Sequence, residues 1–376
     1  MAKKLFIAHK ILRLNWSLII LISSLAIFGF VVLYSAAEGS FEPWSLKQIT
    51  RFSLLLPVML LIGIVNIKFW CRIAYPLYAV ALVALILTEI MGVTAMGATR
   101  WLDVGFINIQ PSEIMKLGMV FALAKYFHTN SLANTSNTIY LITPILMVVV
   151  PVLLILKQPD MGTALILLFV SATMFFAAGV QIWKFLLVGA AGLSVMPMLW
   201  NHMHDYQKNR VISFLDPEKD PLGNGYNLLQ SKIAIGSGGF SGKGFLNGTQ
   251  SQLSFLPEKQ TDFIFTMFTE EFGFIGGVAV IAIYAIIIAY GVFIATSSRN
   301  HFGRMMAIGI ISVFFFHVFI NIAMVMGLMP IVGVPLPLLS YGGTIMTTVL
   351  IGFGLILNVH LYKDEKIEKT NGIFLR

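Results

Sequence analysis

Charge is in short supply in this sequence. Of 376 residues, only 11% are Asp, Glu, Lys or Arg, against about 25% in soluble proteins. That shortage excludes a disordered chain and a charged coiled coil. Cysteine is scarcer still. Cys71 stands alone, so no intrachain disulfide framework holds the fold. No short-period repeat is visible, and no convincing inverted repeat of the kind built into many secondary transporters. What is abundant is apolar: 57% of the chain, with 32 glycines adding about 9%, well above the roughly 45–50% of a soluble domain on the same count. A soluble enzyme is excluded, and a polytopic membrane protein remains. The net charge of +8 does not point to nucleic acid, because the basic residues are scattered between hydrophobic runs.

Length alone suggests two or three soluble domains, but one bundle of membrane helices can use the whole of 1–376. About ten hydrophobic segments are legible: 16–35, 52–67, 73–91, 113–126, 139–156, 162–178, 182–200, 272–296, 305–328 and 345–361. A helix needs about 20 residues to cross the hydrocarbon core. The fourth segment is shorter, which predicts either a start in the headgroup layer or a buried partial span. Lys3, Lys4, Lys10 and Arg13 precede an apolar run too long for a cleaved signal core, and the first segment reads as an uncleaved anchor. With the amino end inside, fourteen Lys and Arg flank spans on the inner side and five on the outer. The expected fold is therefore an all-α integral membrane protein with both termini cytoplasmic. The one long, less apolar stretch, residues 201–261, becomes an outer loop between spans 7 and 8, and a loop of that length is usually functional.

Ionisable residues near membrane depth are costly, about 2.5–3.5 kcal/mol each at a helix centre, and tend to mark function. Glu113 and Lys116 share a helix face at i,i+3, either as a local ion pair or as the charged floor of an outward site. Arg100 to Asp103 and Gln110 to Ser112 read as an interfacial segment leading into that helix. Asp160, between Pro159 and Met161-Gly162, reads first as a helix cap. The glycine-rich run from Gly236 to Gly244 fails the P-loop pattern, which needs a glycine at Ser237 and Ser or Thr at Gly244. Its weaker reading is a loop whose amides and Lys243 approach a phosphate.

Asp262 is the best single candidate. A polar loop turns into an apolar run there, which sets a carboxylate at the outer mouth of the bundle. Partial desolvation raises such a pKa toward the range of a general base, and Lys259 opposes the rise. The structural alternative is an N-cap for the helix that follows. Glu270 and Glu271 read as ties between helices, and Gly273 and Gly277 as a close helix contact. The run from Gly333 to Gly343, with two prolines and a glycine pair, cannot form a regular helix. At membrane depth such backbone must be buried in protein or line a cavity, so it reads as a re-entrant turn.

These motifs together resemble the SEDS proteins (shape, elongation, division and sporulation) along nearly the whole chain. The resemblance rests on RWLDVGFINIQPSE (100–113), QPDMGT (158–163), DPEKDPLGNG (216–225), QSKIAIGSGG (230–239), GTQSQLSFLPEKQTDFIF (248–265) and VPLPLLSYGG (334–343). The form GTQSQLSFLPE is closer to the elongation branch than to the division branch. Thr344-Ile345 departs from the small residues often found there, which touches the packing of the last span. The resemblance implies a ten-span peptidoglycan glycosyltransferase of the bacterial cytoplasmic (inner) membrane, with its active site facing the periplasm or cell exterior. It implies lipid II (undecaprenyl-pyrophosphate disaccharide pentapeptide) as substrate. It also implies a class B penicillin-binding protein transpeptidase and elongation-complex membrane proteins as partners, and no nucleic acid. The family's essential aspartate falls on Asp262. Arg100, Glu113, Lys116, Asp160 and Lys243 are cavity or substrate-binding candidates. A divalent cation, Mg²⁺ or Mn²⁺, is expected, with Glu113, Asp160 and Asp262 as candidate ligands, and no organic cofactor. Two rival readings stand beside this one: a lipid II flippase, and a non-catalytic scaffold that activates a penicillin-binding protein.

Overall fold

The computed structural model describes residues 9–95, 98–103, 105, 108–129, 137–202, 205–220, 223–252, 256 and 258–368. Lys3, Lys4, Pro257, Lys369 and Arg376, which entered the sequence reading, lie outside them. The principal helices are α1 (Trp16–Ala36), α2 (Ser45–Ile64), α3 (Ile67–Met91), α4 (Pro111–Thr129), α5 (Thr138–Lys157), α6 (Met161–Ala177), α7 (Ile182–His202), α8 (Asp205–Leu215), α9 (Asn224–Ser237), α10 (Ile264–Ser297), α11 (His301–Val325) and α12 (Gly343–Leu361). Seven of them, α1, α2, α3, α5, α10, α11 and α12, are long and apolar enough to cross a membrane. α6 and the first part of α7 are shorter apolar helices.

α4 explains why its segment reads short and charged. Fifteen of its 19 residues are buried, with α3, α5, α6, α11 and α12 packed around it. Its surroundings are protein, so it needs no lipid-facing stripe. α7 is the opposite case, with its described side chains mostly exposed.

Four helix starts at the inner end share one device, while those at the outer end are mixed. Asn15, Asn66, Asn137 and Asn300, at ends the charge count places inside, each accept from the first-turn amides of α1, α3, α5 and α11, as N-caps do. At the other end, α2, α10 and α12 begin at Trp44, Phe263 and Gly342 with no side-chain cap.

The mostly helical fold is the one expected, and between α3 and α4 the chain adds a small antiparallel sheet of β1 (Val93–Ala95), β2 (Ala98–Asp103) and β3 (Asn108–Ile109), in the order β1-β2-β3. The interfacial segment with Arg100 is its central strand. The helix that carries the apolar segment 272–296 begins at Ile264, just after Asp262, and breaks at Gly273; Glu270 and Glu271 continue it and are buried inside protein, as their reading as ties between helices expects. And the stretch 201–261 is not bare loop, since α8, α9 and a helical turn at Thr249–Gln252 occupy much of it.

Residues 327–342 behave as the prolines and glycines predict. They form no helix, yet Val334, Leu336, Leu338, Leu339 and Ser340 are buried. Gly29 of α1 admits this segment, because a Cβ there would overlap the Leu338 carbonyl. The Tyr284 hydroxyl donates to the Pro337 carbonyl at 2.5 Å.

Candidate active site

The segment before α10 is held by its backbone. Three consecutive carbonyls, those of Gln260, Thr261 and Asp262, accept hydrogen bonds from outside the segment. The Tyr341 amide donates to Gln260 at 2.8 Å. The Ser340 hydroxyl donates to Thr261 at 2.6 Å. Asn321 Nδ2, from α11, donates to Asp262 at 2.8 Å and to the Val334 carbonyl at 2.7 Å. Asn321 and Ser340 are buried, so these bonds are shielded from competing water. The re-entrant segment is therefore the mould in which Asp262 is set.

The side chain of Asp262 is left uncommitted. α10 is capped at Phe263 without a side-chain bond, so the N-cap alternative fails. Asp262 is half-buried, with protein packed around it and a window to solvent. Its Oδ2 lies beside Gly333, where an added Cβ would sit 3.4 Å away. The carboxyl is pushed up to about 7, first by burial and next by the neighbouring Glu258. Arg210 and Arg100 oppose the rise, and Asp160 adds to it. A carboxyl that titrates near neutrality and makes no structural bond is suited to take a proton.

Arg100 and Asp160 approach Asp262 as one unit. Arg100 Nε donates to the Gln158 carbonyl at 3.2 Å and Nη2 to the Pro159 carbonyl, while Nη1 stands 4.0 Å from Asp160. Asp160 caps α6 by accepting from the Thr163 amide at 3.3 Å, as its sequence context predicts, and Gln110 Nε2 lies 3.4 Å from its other oxygen. Gly162 brings this corner against the re-entrant segment, since a Cβ there would fall 2.7 Å from Val334.

Glu113 and Lys116 form a separate buried group. Lys116 Nζ lies 2.6 Å from Glu113 Oε1 and 2.8 Å from His317 Nε2, and His317 Nδ1 lies 2.8 Å from the Val313 carbonyl. Lys116 is fully buried, and Glu113 and His317 nearly so. The pair is an internal tie between α4 and α11, and His317 is a partner the sequence did not disclose. It stands four residues before Asn321, on the same face of α11.

Lys243 is committed elsewhere. Its Nζ lies 2.7 Å from Glu270, which also accepts from the Gln250 amide at 3.0 Å. The glycine-rich run docks against a break in α10. Gly273 has φ 66° and ψ −164°, a conformation essentially reserved for glycine. There the amides of Lys243 and Gly244 donate to the Glu270 and Glu271 carbonyls, and the amides of Phe274 and Ile275 donate to the Gly239 and Phe240 carbonyls. The run thus satisfies the backbone groups freed by the break, and the phosphate-loop reading has no support. Gly273 meets this run, not a second helix.

Among the described residues, no group of three or more His, Cys, Asp or Glu side chains is placed to hold a metal ion. Glu113, Asp160 and Asp262 do not converge, because Glu113 is tied to Lys116 and Asp160 to the α6 cap. A resident divalent-cation site does not fit this donor set. Arg210, on α8, is a cation the sequence reading passed over, having no motif around it.

The family model described as "Cell cycle protein" (FtsW, RodA, SpoVE) matches residues 15–365. The chain is 38% identical over 359 residues to the peptidoglycan glycosyltransferase MrdB of Escherichia coli, covering 93% of this chain and 94% of that protein. It is 36% identical over 356 residues to the stage V sporulation protein E of Bacillus subtilis, covering 92% and 96%. Among solved structures, a chain of a peptidoglycan synthase complex, described for its coordination of polymerization and crosslinking, matches with a TM-score of 0.82 and 32% identity, covering 94% of this chain and 99% of that one. The crystal structure of the Thermus thermophilus rod shape determining protein RodA matches with a TM-score of 0.67 and 28% identity, covering 94% and 98%.

Proposed function

The chain belongs to the FtsW, RodA and SpoVE family of cell cycle proteins, and from that premise we propose that it is a peptidoglycan glycosyltransferase working during cell elongation. It is a multi-pass protein of the bacterial cytoplasmic membrane. Its substrate is lipid II, polymerised into β-1,4 glycan strands at the outer face. The observation that carries this reading is Asp262: a carboxyl clamped by its backbone, free at its side chain and titrating near neutrality.

Asp262 takes the proton from the acceptor GlcNAc 4-hydroxyl as that oxygen forms a bond to C1 of the donor MurNAc. The C1–oxygen bond to the lipid pyrophosphate breaks, with inversion at C1. The proton stays on Asp262, and the electron pair leaves on the pyrophosphate. Arg100 and Arg210, the cations whose fields reach Asp262, stabilise that developing charge. A divalent cation would serve as the counter-ion of the substrate's pyrophosphate, since among the described residues no group of carboxylates is placed to hold one. A class B penicillin-binding protein supplies the transpeptidase, and the other elongation-complex proteins organise the pair. The whole of 1–376 acts as one membrane unit, with 201–261 as its outer elaboration.

The test is glycan polymerisation by purified protein with lipid II and Mg²⁺ or Mn²⁺, with and without the partner. Wild type is expected to make polymer, and folded Asp262→Asn none. Equal polymer from Asp262→Asn would overturn the base assignment. Lipid II translocation without polymer would favour a flippase. Loss of only the partner's crosslinking would favour a scaffold.

A further inference from the structure

Arg51 is a cation with no anion among the described residues. It lies in α2, two turns from the Trp44 end, inside a stretch apolar enough to span a membrane. An ionisable residue at such a depth needs a partner or a function. Among the described residues it makes no ion pair, and its Nη1 is buried with no hydrogen-bond acceptor. Lys47, one turn earlier on the same face, is exposed and makes no ion pair among them either.

The setting adds positive charge. The Arg51 guanidinium lies 5.0 Å over the Tyr341 ring, a contact that orients a cation without neutralising it. It rests against the start of α12: a Cβ on Gly343 would come within 3.2 Å of Arg51 Cζ, so glycine makes room for the guanidinium there. α12 begins at Gly342 with no side-chain cap; the Gly342 amide itself lies 3.5 Å from Gln48 Oε1, and no carboxylate faces the positive end of the helix dipole among the described ion pairs. Two positive features that converge without a carboxylate repel each other, and an anion between them removes the cost. Tyr341 to Thr344 are all partly exposed, so the junction is open to a ligand.

We propose that Arg51, with Lys47 and the amino end of α12, binds the phosphate headgroup of an outer-leaflet lipid. This rests on the glycosyltransferase reading for one point. Joining two lipid-linked sugars brings two polyprenyl pyrophosphates to the protein, and this site takes the one not held at Arg100 and Arg210. The two sites are mechanically joined, because Tyr341, under the guanidinium, is also the donor to Gln260, two residues before Asp262.

The test measures binding without turnover. Purified wild type, Arg51→Gln, Arg51→Lys and Lys47→Gln are titrated in detergent with undecaprenyl pyrophosphate in one arm and phosphatidylglycerol in the other. Thermal unfolding reports folding. A charge-assisted contact of about 1.5–3 kcal/mol corresponds to roughly a ten- to hundredfold weaker affinity when removed. Arg51→Gln is expected to lose that much in at least one arm, and Arg51→Lys less, because an ammonium lacks the planar fork. Loss in the pyrophosphate arm names a substrate lipid, and loss only in the phosphatidylglycerol arm names a structural phospholipid. If Arg51→Gln does not fold, the exposed Lys47→Gln decides, with a drop of about threefold or more expected for a contributing surface charge. Wild-type affinity in both arms for every folded variant overturns the inference. Binding that depends on Arg51 in a protein that makes no polymer would keep this site and sink the glycosyltransferase reading.

Discussion

Asn321 holds Asp262 by its carbonyl, at 2.8 Å, and leaves its carboxylate alone. The same Nδ2 holds Val334 at 2.7 Å. One amide group therefore joins α11, the re-entrant segment and Asp262, and Ser340 and Tyr341 repeat the device one and two residues upstream.

Replacing Asn321 should damage placement more than binding. Asn321→Ala frees two carbonyls and costs about 1–3 kcal/mol of stability. A misplacement of the carboxylate by about 1 Å lowers turnover by about a hundredfold. Steady-state polymerisation should show kcat falling with KM little changed. A variant that unfolds earlier but turns over normally would remove Asn321 from any positioning role.

The pH profile should follow Asp262. The base must be ionised, and its carboxyl sits at about 7, so kcat/KM should climb through pH 7 and level off above it. Stability runs the other way. The folded pKa is raised above that of an ordinary aspartate, so folding favours the protonated form, and this contribution is full below about 4 and is lost as pH rises through 7. Asp262→Asn should therefore unfold at a higher temperature than wild type at pH 8, with little difference at acid pH. Equal midpoints at pH 8 would contradict the burial cost assigned to this group.

Gly273→Ala should be severely destabilising. The residue stands at φ 66°, ψ −164°, and a Cβ would overlap the Gly242 amide and lie 2.7 Å from the Phe240 carbonyl. The conformational penalty alone is about 1–3 kcal/mol, and the glycine-rich run must also leave. Thermal unfolding in detergent and proteolysis between residues 238 and 244 would report it. An unchanged midpoint would mean that the break is not needed.

Glu113 and Lys116 should be coupled. Removing either one strands a buried charge, at about 3–5 kcal/mol. Removing both, as Glu113→Gln with Lys116→Met, should cost clearly less than the two singles combined. An additive cycle, read from unfolding midpoints, would show that the pair makes no energetic contact.

The sequence exposed Asp262 because a sharp polar-to-apolar boundary is a local signal, and Asp160 because proline and glycine frame a cap. It could not expose the residues that hold Asp262. Asn321 sits in an apolar run with nothing beside it to mark it, and its partners lie 59 and 13 residues away. His317 was missed for the same reason. Lys243 was misread because a glycine-rich run suggests a ligand, whereas here its amides serve a broken helix. The apolar segment from Phe272 leaves out the first turns of α10 because Glu270 and Glu271 interrupt the hydrophobic run, while Lys243 and Ser35 pair with them in the interior.

The clamp also imposes an order on biosynthesis. A ribosome delivers Arg100, Asp160, Arg210 and Asp262 before it delivers Asn321, and it delivers Asn321 before Ser340 and Tyr341. A nascent chain halted short of Val334 thus carries every charged group at the Asp262 site without the hydroxyl and amide that fix Thr261 and Gln260. A chain stopped there would hold those charged groups without two of the three bonds that place the segment before α10.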